Sequence, residues 1–123
     1  MSIENMICGD SITTINKMME MSMERQKTIA NNIANASTPG YTRLEIDFQK
    51  ELTAAVESRD SLQVSNVKGN LVLDERNKPD VNGNNVVIPK EMNEMMQNNV
   101  LYNLLAKSYG TRMKILKTAI TGK

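Results

Sequence analysis

The 123-residue sequence has no histidine and no tryptophan, one cysteine and one phenylalanine. Without histidine, the commonest general base and the commonest metal ligand are missing. A lone Cys8 forms no internal disulfide, so cysteine usage leaves the redox compartment open. The large rings that usually dominate cores and interfaces are reduced to Phe48, Tyr41, Tyr102 and Tyr109. No apolar run approaches the roughly 20 residues a membrane span needs. The opening MSIENMICGDSITTINKMME has no basic leading segment and no continuous apolar stretch, so no cleaved secretory signal is expected. A formal net charge of +1 gives no general electrostatic case for nucleic acid. No metal-ligand cluster and no phosphate-cradling glycine loop is present. The carboxylate pair Asp74-Glu75 lies in turn-rich sequence and reads as solvated. These absences predict no catalytic residues, no metal, no cofactor and no small-molecule substrate.

What is plentiful is methionine, with ten residues, alongside many Ile and Leu. Methionine is unbranched and adaptable. It either fills a helical core or provides a surface that fits more than one neighbour. The length sets a limit of one domain with a modest core.

Two segments carry helical periodicity. The first runs from about Ser11 to Asn35, with Asp10 or Ser11 able to cap its start. Ile12, Ile15, Met19, Ser22, Gln26, Ile29, Ile33 and Ala36 follow alternating steps of three and four, the period of a coiled-coil seam. Met18, Met21, Met23 and Ala30 lie off this seam. The second segment runs from about Lys90 to Ile120, with Pro89 placed for its first turn. Its seam reads Met92, Met95, Asn99, Tyr102, Ala106, Tyr109, Met113, Leu116, Ile120. Glu91 and Glu94 near its start and Lys107, Arg112, Lys114 and Lys117 near its end match the helix dipole. Those cations either complement that dipole or form a basic face for an acidic partner. At about 1.5 Å per residue each helix is roughly 40 Å long. Both carry apolar residues beyond one seam, which argues for an assembly subunit.

Between them, Glu45–Glu57 is expected to form a short helix, with Ile46, Leu52 and Val56 on one face and Asp47 as its cap. Short apolar pieces follow: Leu62-Gln63-Val64, Leu71-Val72-Leu73 and Val86-Val87-Ile88. Asn82-Gly83 between apolar runs is a hairpin signal. The expected fold is mainly α: an antiparallel, coiled-coil-like pair of terminal helices with a small irregular or β-hairpin middle. Residues 1–40 and 89–123 form the helical unit, and 41–88 the short helix, turns and small hairpin or flexible loop.

The first helix ends in Ala30-Asn31-Asn32-Ile33-Ala34-Asn35-Ala36-Ser37-Thr38-Pro39-Gly40-Tyr41. Proline pushes Thr38 out of the helical region, and Pro-Gly suits the centre of a type II turn. The twelve residues closely resemble the ANNIANxxTPGY signature of bacterial flagellar rod and hook proteins. Hook and distal-rod members carry large insertions, for which this chain has no room. Arg43-Leu44-Glu45-Ile46-Asp47-Phe48 is similar to the x-IDF segment of proximal-rod members, and Val81-Asn82-Gly83-Asn84-Asn85-Val86 to their DGNNV stretch. Glu91-Met92, Asn98 to Asn103, and Lys114 to Ile120 resemble their tail. The middle segment is short even for this family.

The resemblance implies a structural protein of the basal-body rod, self-assembling, transmitting torque and forming the export channel. It implies partnership with other rod proteins (the FlgC, FlgF and FlgG types), the adaptor FliE and the MS ring. It further implies passage through the flagellar type III export gate without a cleaved signal, and a place in the basal body. The assembly residues it singles out are Ala30, Asn31, Asn32, Ile33, Ala34, Asn35, Thr38, Pro39, Gly40 and Tyr41. Asn31, Asn32 and Asn35 either bond neighbouring subunits, fixing register, or cap locally. The seam residues Ile12, Ile15, Met19, Ile29, Met92, Met95, Tyr102, Tyr109, Met113, Leu116 and Ile120 are expected to pack. Phe48 and Leu52 resemble an FxxxΦ export-gate element, or simply form a small helix face. The alternatives are a FlgC-type rod protein, or a secreted or soluble helical adaptor binding a partner through its Met-rich face.

Overall fold

The computed structural model describes residues 10–122. The side chains of Asp10 and Ser11, and with them the expected helix cap, lie outside the described residues, as does Cys8. The elements run α1 (Asp10–Ala34), β1 (Leu44–Asp47), α2 (Gln49–Glu57), α3 (Ser61–Ser65), β2 (Asn70–Leu73) and α4 (Ile88–Thr121). Two long helices therefore flank a small middle layer, as the periodicity predicted. Ser22 meets Asn98 and Asn32 meets Glu91, so α1 and α4 run antiparallel. Among the described residues, no helix is long and apolar enough to cross a membrane.

The middle differs from its sequence reading. The expected helix over Glu45–Glu57 splits: Glu45 to Asp47 are strand, and α2 starts only at Gln49. Ile46 is buried on β1, Val56 is exposed on α2, and Asp47 caps nothing, since Phe48 holds the N-cap position without a side-chain bond. Leu62 to Val64, one of the short apolar pieces in the stretch expected as hairpin or loop, lie in α3, whose start is capped by Asp60 Oδ1 accepting from Leu62 N–H at 3.0 Å. The only strand pairing among the described residues is antiparallel, β1 with β2, in the register Leu44–Leu73 and Ile46–Leu71. The Asn-Gly pair does not make a hairpin. Asp80 Oδ1 instead accepts from Asn82 and Asn84 N–H, at 2.8 and 3.0 Å, folding that stretch into a side-chain-closed turn. Val86 and Val87 precede α4, and Ile88 begins it, with Pro89 in its first turn.

The apolar core comprises Met21 of α1, Ile46, Phe48, Leu52 and Ala55, Val64 and Val67, with Met18 against it. Gly69 lets the chain cross this core into β2: a Cβ there would stand 2.5 Å from Ile46 Cδ1. Arg25 lies over the Phe48 ring at 5.0 Å. None of these core residues belongs to α4. That helix is held by other means.

Candidate functional site

The signature stretch builds a joint between α1, β1 and α4. Asn35 N–H bonds back to the Asn31 and Asn32 carbonyls, closing the helix. Tyr41 N–H then bonds Thr38 C=O at 3.3 Å, and Gly40 takes φ +71°, the value required at the third position of a type II turn. The asparagines are occupied within the chain. The Asn32 amide donates to Leu44 C=O and accepts from Leu44 N–H, both at 2.8 Å, so one side chain stands in for a neighbouring strand. Its oxygen also accepts from Tyr41 O–H at 2.9 Å, and its nitrogen reaches Glu91 at 3.4 Å. Asn31 donates to the Tyr41 hydroxyl at 3.0 Å. Asn35 donates to Asn31 C=O at 2.8 Å and accepts from the Thr38 hydroxyl. Asn84 Nδ2 donates to the carbonyls of Asn35 and Thr38, at 2.8 and 2.9 Å. Gly40 N–H donates to Asn82 C=O, and Asn85 Oδ1 accepts from Arg43 N–H at 2.7 Å. The NGNN stretch thus backs the signature turn along its length.

Arg43 sits at the centre of the joint, only 3% exposed. Its guanidinium bonds Glu91 at 2.5 Å, Glu94 at 3.1 Å and Asp74. Glu91 is 1% exposed, on the first turn of α4. Arg76 covers Asp74 from the solvent side and reaches Glu45 at 2.6 Å. Burial alone would lower the Arg43 pKa, but bonding and charge from Glu91, then Glu94 and Asp74, raise it instead. The Arg76 guanidinium holds the Asp74 carboxyl well below the usual carboxylate range, against burial. Burial raises the Tyr41 hydroxyl, with the Asn31 bond opposing it. Asp74 is therefore buried and paired, correcting its reading as solvated.

Between the helices the contact is pinned by polar groups. Ser22 O–H donates to Asn98 Oδ1, and Asn98 Nδ2 donates to Ser22 C=O and Gln26 Oε1, each at 2.9 Å. Ser22 and Gln26, which interrupt the α1 seam, meet their partner here. Ile29 and Leu105 are the buried apolar residues beside them. On α1, Ile12, Ile15, Met19 and Ile33 are half-buried. On α4, Met95, Tyr102, Tyr109 and Leu116 are half-buried, whereas Met92, Met113 and Ile120 are exposed. The second column facing α1 is Glu91, Asn98 and Leu105, one residue before the predicted Met92, Asn99 and Ala106. An apolar count passes over a column whose members are mostly polar.

Of the signature residues, Asn32 is fully buried, Ile33, Asn35 and Tyr41 are half-buried, and Ala30, Asn31, Ala34, Thr38, Pro39 and Gly40 face solvent. Phe48 and Leu52, the export-like pair, are buried in the core. Arg43 and Asn98 are not legible as site residues because their partners lie 31 to 76 positions away, and Asp74 has Arg76 two positions on but owes its burial in the joint to Arg43, 31 positions back. No group of metal-ligating side chains occurs among the described residues.

A family model described as flagella basal body rod protein matches residues 23–42. The chain is 33% identical over 107 residues to flagellar basal body rod protein FlgB of Bacillus subtilis, covering 80% of this chain and 83% of the relative. It is 31% identical to the FlgB protein of Borreliella burgdorferi, covering 77% and 84% of the two chains. It is 26% identical to that of Salmonella typhimurium, covering 85% and 88%.

Proposed function

The chain belongs to the FlgB family of flagellar basal body rod proteins, and from this we infer that it is a structural subunit of the proximal rod. It works by packing, without catalysis. The observation that carries this reading is the division of α4 into two faces. A polar column of Glu91 and Asn98 fixes the helix to α1, while Met92, Met96, Val100 and Leu104 stay exposed along its outside. The interior contact sets register, and the outer ridge is left for other subunits.

In this reading the signature residues act mainly inside the subunit. Asn32, Asn35 and Tyr41 hold the turn after α1 rigid, so the helix pair meets its neighbours in one shape. The exposed Ala30, Ala34 and Pro39 leave room for close approach. The neighbours are other rod and basal-body proteins, in finer detail the FlgC, FlgF and FlgG types, FliE and the MS ring. Stacked subunits transmit torque and enclose the export channel. Phe48 and Leu52 serve export only in the unfolded chain, since folding buries both. The same dependence on unfolding suits passage through a narrow gate. The relatives found do not favour a FlgC-type identity.

The test is an in-frame deletion scored for swimming and for filaments by electron microscopy, with complementation. Loss of both, restored by the gene, is expected. Normal filaments and swimming, in a strain with no second copy, would overturn the rod assignment and favour a soluble helical adaptor.

A further inference from the structure

The register of the two-stranded sheet fixes which backbone groups face outward. Asp74 N–H donates to Arg43 C=O at 2.9 Å, while the Asn85 amide takes the other half of that pair, so the residues that face each other with their hydrogen-bonding groups are Arg43 and Asp74, Glu45 and Val72, and Asp47 and Asn70. Leu44, Ile46, Leu71 and Leu73 turn their N–H and C=O groups away from the facing strand. On the outer edge of β1 this is resolved at Leu44, whose two groups are taken by the Asn32 amide. On the outer edge of β2, the groups of Leu71 and Leu73 meet no partner among the described residues. Their side chains are 62% and 63% exposed, on the face that carries buried Ile46. The asparagine closes the β1 edge at Leu44, whereas the β2 edge is open at both Leu71 and Leu73.

We propose that the open edge of β2 pairs with the same edge of a second copy, antiparallel, about a two-fold axis through Val72. The free groups are arranged symmetrically about that residue, which is what an isologous contact needs. Leu71 of one copy then opposes Leu73 of the other, and the reverse. Each opposed pair exchanges both of its hydrogen bonds, so no outward N–H or C=O of either residue is left over. The product is one four-stranded antiparallel sheet. Its leucines from both copies lie on a single face and continue the apolar surface begun by Ile46. An unrelated extended segment would match the hydrogen bonds but has no reason to match this symmetry. The contact involves four-residue strands and falls short of the roughly 1,200 Å² of stable complexes. It is a weak pair, formed in concentrated protein. A closed two-fold contact does not propagate. The pair therefore belongs to the free protein, and the inference stands independently of the rod reading.

The test uses the full chain with Cys8→Ser, so that Val72→Cys supplies the only thiol. In the pair the two residue-72 Cα atoms approach to about 4.5 Å, within disulfide range. Under mild oxidation of concentrated protein, Val72→Cys is expected to form a disulfide dimer roughly ten-fold faster than Leu62→Cys, since only the first thiol is held in bonding geometry. Leu62 is 67% exposed and serves as the unpaired control. Adding Leu73→Pro removes an N–H that nothing among the described residues uses, and should return cross-linking to the control rate with unchanged circular dichroism. If that variant unfolds, Leu71→Lys with Leu73→Lys charges the edge and is expected to give the same loss. Cross-linking of Val72→Cys at the control rate would overturn the proposal. So would a fast rate that neither the proline nor the lysine variant reduces in a folded chain.

Discussion

The joint between the helices depends on a few side chains that each satisfy several backbone groups. Asn32 is the clearest case. It meets both polar groups of Leu44 and the Tyr41 hydroxyl with one amide. Asn32→Ala leaves these without partners, and a buried polar group left unsatisfied costs about 1–3 kcal/mol. Because part of the site opens to water, a loss of about 2–4 kcal/mol is expected in chemical denaturation. Asn32→Asp should be worse than its small change in shape suggests, because it removes the donor to Leu44 C=O and puts a carboxylate beside Glu91. Equal stability of the alanine variant and the wild type would remove Asn32 from this role. Arg43 poses the opposite problem, a buried charge. Glu91→Ala strips it of its buried α4 partner, and breaking such a pair costs about 3–5 kcal/mol. Asp74 links the same cluster to pH. Its folded pKa is depressed by Arg76, so its contribution is complete above the ordinary carboxylate range, about pH 4, and is lost as pH falls below it. Denaturation midpoints measured from neutral pH into acid should therefore fall, and Asp74→Asn should flatten part of that slope while lowering stability at neutral pH.

At the level of elements, the two long helices were legible because their signals are local. Period, proline placement and the Thr-Pro-Gly stop all lie within a turn or two of the residues they govern. The strands were not. Leu44–Asp47 pairs with Asn70–Leu73 across two intervening helices, and four residues are too few to establish an alternating pattern. Ile46 and Val56 were grouped on one helical face because their spacing allows it. Burial of Ile46 against Met21 and Gly69 decided for the strand. On α4, Met95, Tyr102, Tyr109 and Leu116 are half-buried, while the buried positions Glu91 and Asn98 are polar and give no apolar signal. Asn98 there acts as a polar seam residue that sets register at a cost in stability. Asn98→Ala alone should lose about 1–3 kcal/mol, since it strands the Ser22 hydroxyl. Ser22→Ala with Asn98→Leu should recover most of that loss, and the coupling is read from a double-mutant cycle. Additive effects would show that the two residues are not one interaction.

For the whole molecule, the division of α4 matters most. Met92, Met96, Val100 and Leu104 recur every four residues and form one ridge, each more than half exposed. Leu105 is the next residue after that ridge, and it is buried against α1. The two leucines differ by one position and about 100° around the helix, so they separate folding from assembly. Leu105→Asp places a charge in the helix interface and should destabilise the isolated chain by several kcal/mol. Leu104 is 59% exposed, and substitutions at exposed positions stay within about 0.5 kcal/mol. The thermal melt of Leu104→Asp should overlay the wild type. In a rod the same carboxylate would be buried against an apolar neighbour, so a strain carrying Leu104→Asp as its only copy should express the protein and fail to swim. Swimming at the wild-type rate would mean that this ridge faces solvent in the assembled rod, and the helix contacts between subunits would have to be sought on the outer face of α1.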